Sequence, residues 1–311
     1  MDSFSGQSQM GLSGYGHRLY ALSLGEFGNV WELPHCGGWI IVRPIPGTTH
    51  RDGTSCYPLF SCKEWIKLHL DLADVGSSLV TLSLVTDTFC DVSRAYLLEL
   101  FDLVRPFKTH YISDLSYCLE SFVDKQHRYY ARRSLKVMDV ERSPSPLQYL
   151  DEWSKLYDNL INRHKIEGIA RFSPKSFAMQ LQMPGMIMFL GRHEGRIVGM
   201  NLVLIDKSVA YSHLAAYNDE GYRISASYGL YWHILSYCKE QGIRYFDFGG
   251  AAGLKDDQSD GLALFKKGWS NHLRIVYFCG RIFDPSTYDS ICRSYGVLGV
   301  DYFPSYRAKV H

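Results

Sequence analysis

The strongest constraint on the fold is a change of hydrophobic period along residues 186–280. Met186–Gly191, Arg196–Ile205 and Ser208–Tyr217 read as three strands. Only Glu194-Gly195 and Asp206-Lys207 separate them, and two-residue connections of this kind close antiparallel hairpins. The period then lengthens. Ser225–Gln241 reads as a helix stopped by Gly242, followed by a strand at Ile243–Phe248 that ends in Gly249-Gly250. A short helix over Asp260–Lys267, a long strand over His272–Gly280 and a helix over Pro285–Tyr295 complete the order. A three-strand meander feeding a helix and then a strand able to lie parallel to its neighbour predicts α+β, not a doubly wound sheet.

The first half alternates in the same way. Val30–Val42 reads as two short strands around a turn, 43–56 as an irregular Pro/Gly loop, and Ser61–Ala73 as a helix. Strands follow at Ser78–Val85 and Thr109–Leu115, with a helix at Val92–Val104 between them. Leu119–Lys136 reads as a basic helix, Val137–Glu141 as a strand and Pro146–Arg163 as a helix. Ser173-Pro174 opens a helix reaching Leu181, as cap and first-turn proline. Residues 1–16, rich in Ser, Gly and Gln, read as loose. A length of 311 residues suits one large domain or two ordinary ones; the alternation restarts near 110–120, so the expected division is 1–115 and 116–311.

At 46% hydrophobic and 21% charged residues, the composition excludes wholesale disorder. A net charge of +1 argues against a globally basic nucleic-acid binder. That average conceals a local excess: residues 121–142 hold six basic and three acidic side chains, a net +3. Lys125, Arg128, Arg132 and Lys136 recur there at helical spacing, which suits either a phosphate-gripping strip or a solvated face. The eight cysteines form no C-x-x-C pair and no zinc-like cluster, so no metal is expected. The N-terminus shows no basic segment leading into an apolar one, and no apolar run is long enough to span a membrane. The expectation is a cytoplasmic protein with reduced thiols.

Two segments carry a family signature: YFDFGG at Tyr245–Gly250 and GLALFKKGW at Gly261–Trp269. They resemble the (F/Y)-D-x-G-G and G-L-x-x-F-K-x-G-(F/W) ending of the FemAB-like branch of the GNAT acyltransferase superfamily. GRHEGRIVG at Gly191–Gly199 and the basic RRSLK at Arg132–Lys136 fit the same order. The resemblance covers roughly 115–280. It implies two GNAT-like modules in tandem, the first degenerate, each a mixed, mainly antiparallel sheet flanked by helices. It also implies transfer of an acyl or aminoacyl group to the amine of a small-molecule, peptide or nucleotide-linked acceptor. The donor would be acyl-CoA or aminoacyl-tRNA, with tRNA then a partner. Acyl-CoA enzymes of the superfamily carry a (Q/R)-x-x-G-x-(G/A) turn whose amides cradle pyrophosphate. The turn here, Gly221–Gly229 (GYRISASYG), departs from that pattern and leaves the donor open. A non-catalytic module binding a phosphate-bearing ligand is the alternative.

By resemblance, the Lys266 ammonium would lie near the reacting carbonyl, facing a developing oxyanion, or near the acceptor's acidic group; otherwise it is a solvated lysine beside Lys267. Asp247 could orient an amine or act as a base, or simply cap the next turn. His213, by strict alternation on the face of Tyr211 and Tyr217, could take the ammonium proton or be a bonded core histidine. Arg128, Arg132 and Lys136 are candidate phosphate ligands, and Tyr211, Tyr217 and Tyr228 candidate substrate contacts. Gly249 and Gly250 would allow close backbone approach. No nucleophile stands beside a base in recognisable order, so direct attack is expected over a covalent intermediate.

Overall fold

A computed structural model describes residues 14–166, 168–253 and 256–308. Its strands are β1 (Asn29–Leu33), β2 (Gly38–Pro44), β3 (Arg51–Ser55), β4 (Thr81–Val85), β5 (Leu103–Asp114), β6 (Asp139–Arg142), β7 (Met186–His193), β8 (Arg196–Asp206), β9 (Val209–Tyr217), β10 (Tyr245–Asp247) and β11 (His272–Ile282). All eleven form one mixed sheet in the order β1-β2-β3-β4-β11-β5-β10-β9-β8-β7-β6. The architecture is α+β, as the order of periods predicts.

The two halves of the sheet repeat one plan. In each, an antiparallel meander (β1-β2-β3, then β7-β8-β9) is followed by a strand parallel to its last member, β4 beside β3 and β10 beside β9. The long strand that should then close each half pairs in the other. β5 lies antiparallel to β10, and β11 antiparallel to β4, while β5 and β11 pair with each other along nine positions. The centre of the sheet is therefore built from strands about 160 residues apart, and their side chains define the site.

Period-two alternation divides the core. Ile41, Met200, Leu202 and Leu204 face one layer, under the helices Arg18–Ser23, Leu150–His164 and Pro174–Gln180. The other face carries two clusters. Helices Lys125–Ser134, Ala226–Glu240 and Gly261–Lys267 cover the β7–β10 half, and Leu68–Val75 and Arg94–Leu100 cover the β2–β4 half. Trp153, Tyr157 and Phe177 pack ring to ring in the first layer. Burial of each large apolar side chain contributes about 2–3 kcal/mol.

Four expectations are corrected. Arg51–Ser55, read as loop, is a strand paired with β2, because Asp52 within it is fully buried and bound by Arg43 and Arg307. Arg307 is too distant in sequence to register in a local pattern. The basic helix breaks in two, Leu119–Phe122 and Lys125–Ser134, where the Asp124 side chain accepts the Gln126 N–H at 2.7 Å. Lys136 lies beyond its end. Of the segment read as loose, residues 1–13 lie outside the described residues, but Gly14–Gly16 forms a buried 3-10 turn that inserts Tyr15 into the core.

The fourth correction is in β9. Its register with β8 shifts between Leu202 and Val203: Leu214 opposes Leu202, Ser212 opposes Val203, and His213 is the extra residue. A bulge of this kind reverses the alternation beyond it. Tyr211 and Tyr217 consequently face opposite layers, Tyr211 toward the first and Tyr217 toward the helix Ala226–Glu240.

Candidate active site

A buried polar cluster lies where β4, β5, β9 and β10 converge. Asp247 is 2% exposed and ends β10, registered against Tyr211 on one side and Ile112 on the other. Its carboxylate receives the Thr88 hydroxyl at 2.7 Å and the Gly249 N–H at 2.7 Å, and lies 2.9–3.0 Å from His110 Nδ1. Burial alone raises a carboxyl pKa. Here the His110 charge and the bonds from His110, Thr88 and Gly249 outweigh burial and hold Asp247 below its ordinary range. Gly249, at φ +76°, turns the chain so that its own N–H reaches back to Asp247.

His110 joins this cluster from a position that the sequence reading does not single out. It sits on β5 in a strand with no catalytic motif, 137 residues from Asp247, and only the exchange of long strands brings the two together. Its Nδ1 is engaged by Asp247 and Thr88, and among the described residues no hydrogen bond is made by its Nε2. The tautomer that donates Nδ1–H to the carboxylate leaves the Nε2 lone pair available to a proton.

Lys266 approaches the same turn from the helix Gly261–Lys267, whose first N–H groups are capped by Asp260. Its ammonium donates to the Gly250 carbonyl at 2.7 Å, and a Cβ on Gly249 would lie 3.4 Å from Nζ. Burial lowers its pKa to about 8, against the attraction of Asp247. Lys108, two residues before His110, donates to the Ala251 and Ala252 carbonyls and is likewise lowered by burial. The Gly249–Gly250 turn is thus flanked by two lysines and by the His110–Asp247 pair.

The remaining candidates are distributed around this centre. Tyr211 donates to Asp87 at 3.0 Å, and burial raises the pKa of both. His213 has both ring nitrogens engaged, Nδ1 with the Tyr15 hydroxyl at 3.2 Å and Nε2 with Gln180 Oε1 at 2.9 Å. Burial pushes its pKa down to about 3. Tyr217, beyond the bulge, donates to Asn201 on the opposite layer. Tyr228 packs on Phe265, the neighbour of Lys266, and on His127. Arg128 is half-buried, while Arg132 and Lys136 are exposed. They belong to the helix region covering the layer opposite Asp247, so the basic strip and the dyad are not brought together.

The turn before the helix Ala226–Glu240 is itself partly helical. A short helix, Asp219–Arg223, fills it and places two acidic residues in its first turn. The amides of Gly221, Tyr222, Ile224, Ser225 and Tyr228 are all bonded within the chain. Arg274 completes the cluster on the dyad's face: it stands opposite His110 in the β5–β11 register, and its guanidinium lies 4.3 Å from the Phe89 ring centroid.

Residues 123–258 match the family model described as "Acetyltransferase (GNAT) domain". No curated protein matches the chain by sequence. Among solved structures the chain is similar to FemX (14% identity, TM-score 0.68, covering 90% of this chain and 95% of FemX). It is also similar to L-PGS from Bacillus licheniformis (15% identity, TM-score 0.59, 92% and 98% covered). A C-terminal DUF2156 domain from Agrobacterium fabrum, described as part of a lysylphosphatidylglycerol synthetase, gives 15% identity and a TM-score of 0.62, with 90% and 91% covered.

Proposed function

From its GNAT acetyltransferase domain and its FemX-like fold, we infer that this chain is an N-acyltransferase in which an acceptor amine attacks the donor carbonyl directly. One observation carries the reading: a lysine ammonium and an Asp–His pair converge on the Gly249–Gly250 turn. The His110 Nε2 lone pair takes the proton that the acceptor amine gives up as its nitrogen bonds to the donor carbonyl, and the imidazolium returns it to the CoA thiolate or tRNA hydroxyl oxygen that departs as the C–S or C–O bond breaks. Asp247 fixes the ring and stabilises the imidazolium, while Thr88 and the Gly249 amide fix Asp247. The Lys266 ammonium, held by the Gly250 carbonyl, faces the negative charge that develops on the carbonyl oxygen. His213, neutral and doubly bonded, positions the Tyr15 side of the cluster.

We propose two GNAT-like modules, 1–115 and 116–311, that exchange their long closing strands β5 and β11. The donor is a thioester of CoA or an aminoacyl ester of tRNA. The turn at 218–228 departs from the phosphate-cradling pattern and carries Asp219 and Glu220, whose charge opposes a pyrophosphate there, which favours the aminoacyl ester. The basic strip Arg128–Arg132–Lys136, on the opposite layer, would grip a donor phosphate away from the dyad. The same departure from the phosphate-cradling pattern supports the second reading, a non-catalytic module for a phosphate-bearing ligand.

Mass spectrometry separates these readings. The protein is incubated with an amine panel and, in turn, acetyl-CoA, longer acyl-CoAs and charged tRNA. A covalent mark on an amine that disappears in His110→Gln and Lys266→Ala supports the transferase. Retention of the full rate in both variants would remove these roles. Ligand binding with no mark from any donor would favour the binding module.

A further inference from the structure

Arg274 is a cation held beside the dyad with no counter-ion among the described residues. Its guanidinium lies over the Phe89 ring at 4.3 Å and the Tyr245 ring at 5.7 Å, and those two rings are 5.0 Å apart. One nitrogen, Nη1, donates to the Thr88 carbonyl at 3.3 Å. Thr88 is also the residue whose hydroxyl binds Asp247, so the same loop positions both groups. Nε is buried and has no partner, and among the described residues no carboxylate pairs with the guanidinium. Guanidinium groups offer five donors in a planar fork matched to carboxylate oxygens. A buried donor left unmatched costs free energy, and an anion drawn to this uncompensated guanidinium would offset part of that cost.

Position decides which ligand. Arg274 and His110 are directly opposed residues of antiparallel strands, and side chains so placed rise from the same face about 5 Å apart at Cβ. Tyr245, under the guanidinium, is two residues before Asp247 on that same face. An anion on Arg274 therefore lies within one residue's reach of an amine on His110 Nε2. We propose that Arg274 binds a carboxylate of the acceptor, so that the acceptor is an amino acid or peptide whose reacting amine lies close to a free carboxylate. This rests on the acyltransferase reading for its substrate role, but the anion site itself does not depend on turnover.

The test uses matched amines: glycine, alanine and glycylglycine, each as free carboxylate and as C-terminal amide. In the intact protein, the buried Arg274 Nε–H is followed by nitrogen-resolved NMR, assigned by its loss in Arg274→Lys. The expected result is a saturable shift with carboxylates and none with the amides. In turnover, Arg274→Lys should raise KM for carboxylate acceptors at least tenfold while leaving the donor KM unchanged. Equal shifts with carboxylate and amide, or a rise confined to the donor KM, overturns the proposal. Carboxylate-dependent shifts without transfer from any donor uphold the anion site and remove the transferase reading instead.

Discussion

Lys266 offers a prediction whose size follows from its surroundings. Burial holds its ammonium at a pKa of about 8, where an ordinary lysine lies at 10.5. At about 1.4 kcal/mol per tenfold change in proton affinity, the charged form is destabilised in the folded state on the order of 3 kcal/mol. Replacing it by Met, similar in length and uncharged, removes that burden. Between pH 8 and 10.5 the unfolded chain keeps the proton that the folded chain releases, so wild-type stability rises with pH through this window. Urea denaturation at pH 7 and pH 9.5 should therefore move the wild-type protein toward Lys266→Met by about 2 kcal/mol in wild type's favour. Activity should run the other way. The oxyanion role needs the ammonium, so kcat/KM of the wild type should fall as pH rises above about 8. At pH 7, Lys266→Met should lose about 100- to 1,000-fold in kcat. A stability difference that stays constant between the two pH values would refute the buried-ammonium argument, whatever the kinetics show.

Further outcomes follow from the same geometry. His110→Gln and Asp247→Asn should each reduce kcat/KM by roughly 100- to 10,000-fold, and the double variant should fall little further, since the pair acts as a unit. His213, lowered to about 3 by burial, is neutral in the fold while the unfolded chain takes up its proton below about 6.5. Stability should therefore fall as pH drops through this window, by about 2–3 kcal/mol between pH 6.5 and 4.5, and His213→Gln should flatten that fall in urea titrations. Arg307 binds the fully buried Asp52 through Nε at 2.8 Å and Nη2 at 2.9 Å, so Arg307→Ala should lose about 3 kcal/mol of stability with kcat nearly unchanged.

Local chemistry was legible in the sequence wherever it acts within a few residues. Ser173 caps its helix by accepting the Ser176 N–H, with Pro174 in the first turn. Gly242, at φ +76°, follows the helix it was read to stop. Glu194 and Gly195 both take positive φ in the β7–β8 hairpin, as a two-residue connection requires. The YFDFGG and GLALFKKGW segments led to Asp247 and Lys266, which the structure places on the two sides of one turn. The strand at Arg51–Ser55 was hidden because its stabilising partner, Arg307, lies 255 residues away. The bulge at His213 was hidden because one inserted residue leaves no mark on composition yet reverses every side chain after it.

By itself the sequence determined most of the strands and helices and their order, because hydrophobic period, caps and turn residues are properties of neighbours along the chain. The tertiary structure decided which strands sit side by side. Crossing β5 and β11 between the halves set His110 against Asp247 and Arg274 opposite His110, across separations of more than 130 residues. Pairing a strand with a distant partner satisfies the same backbone hydrogen bonds as pairing it with a near one, so the choice is made by the packing of whole layers. No local pattern encodes it.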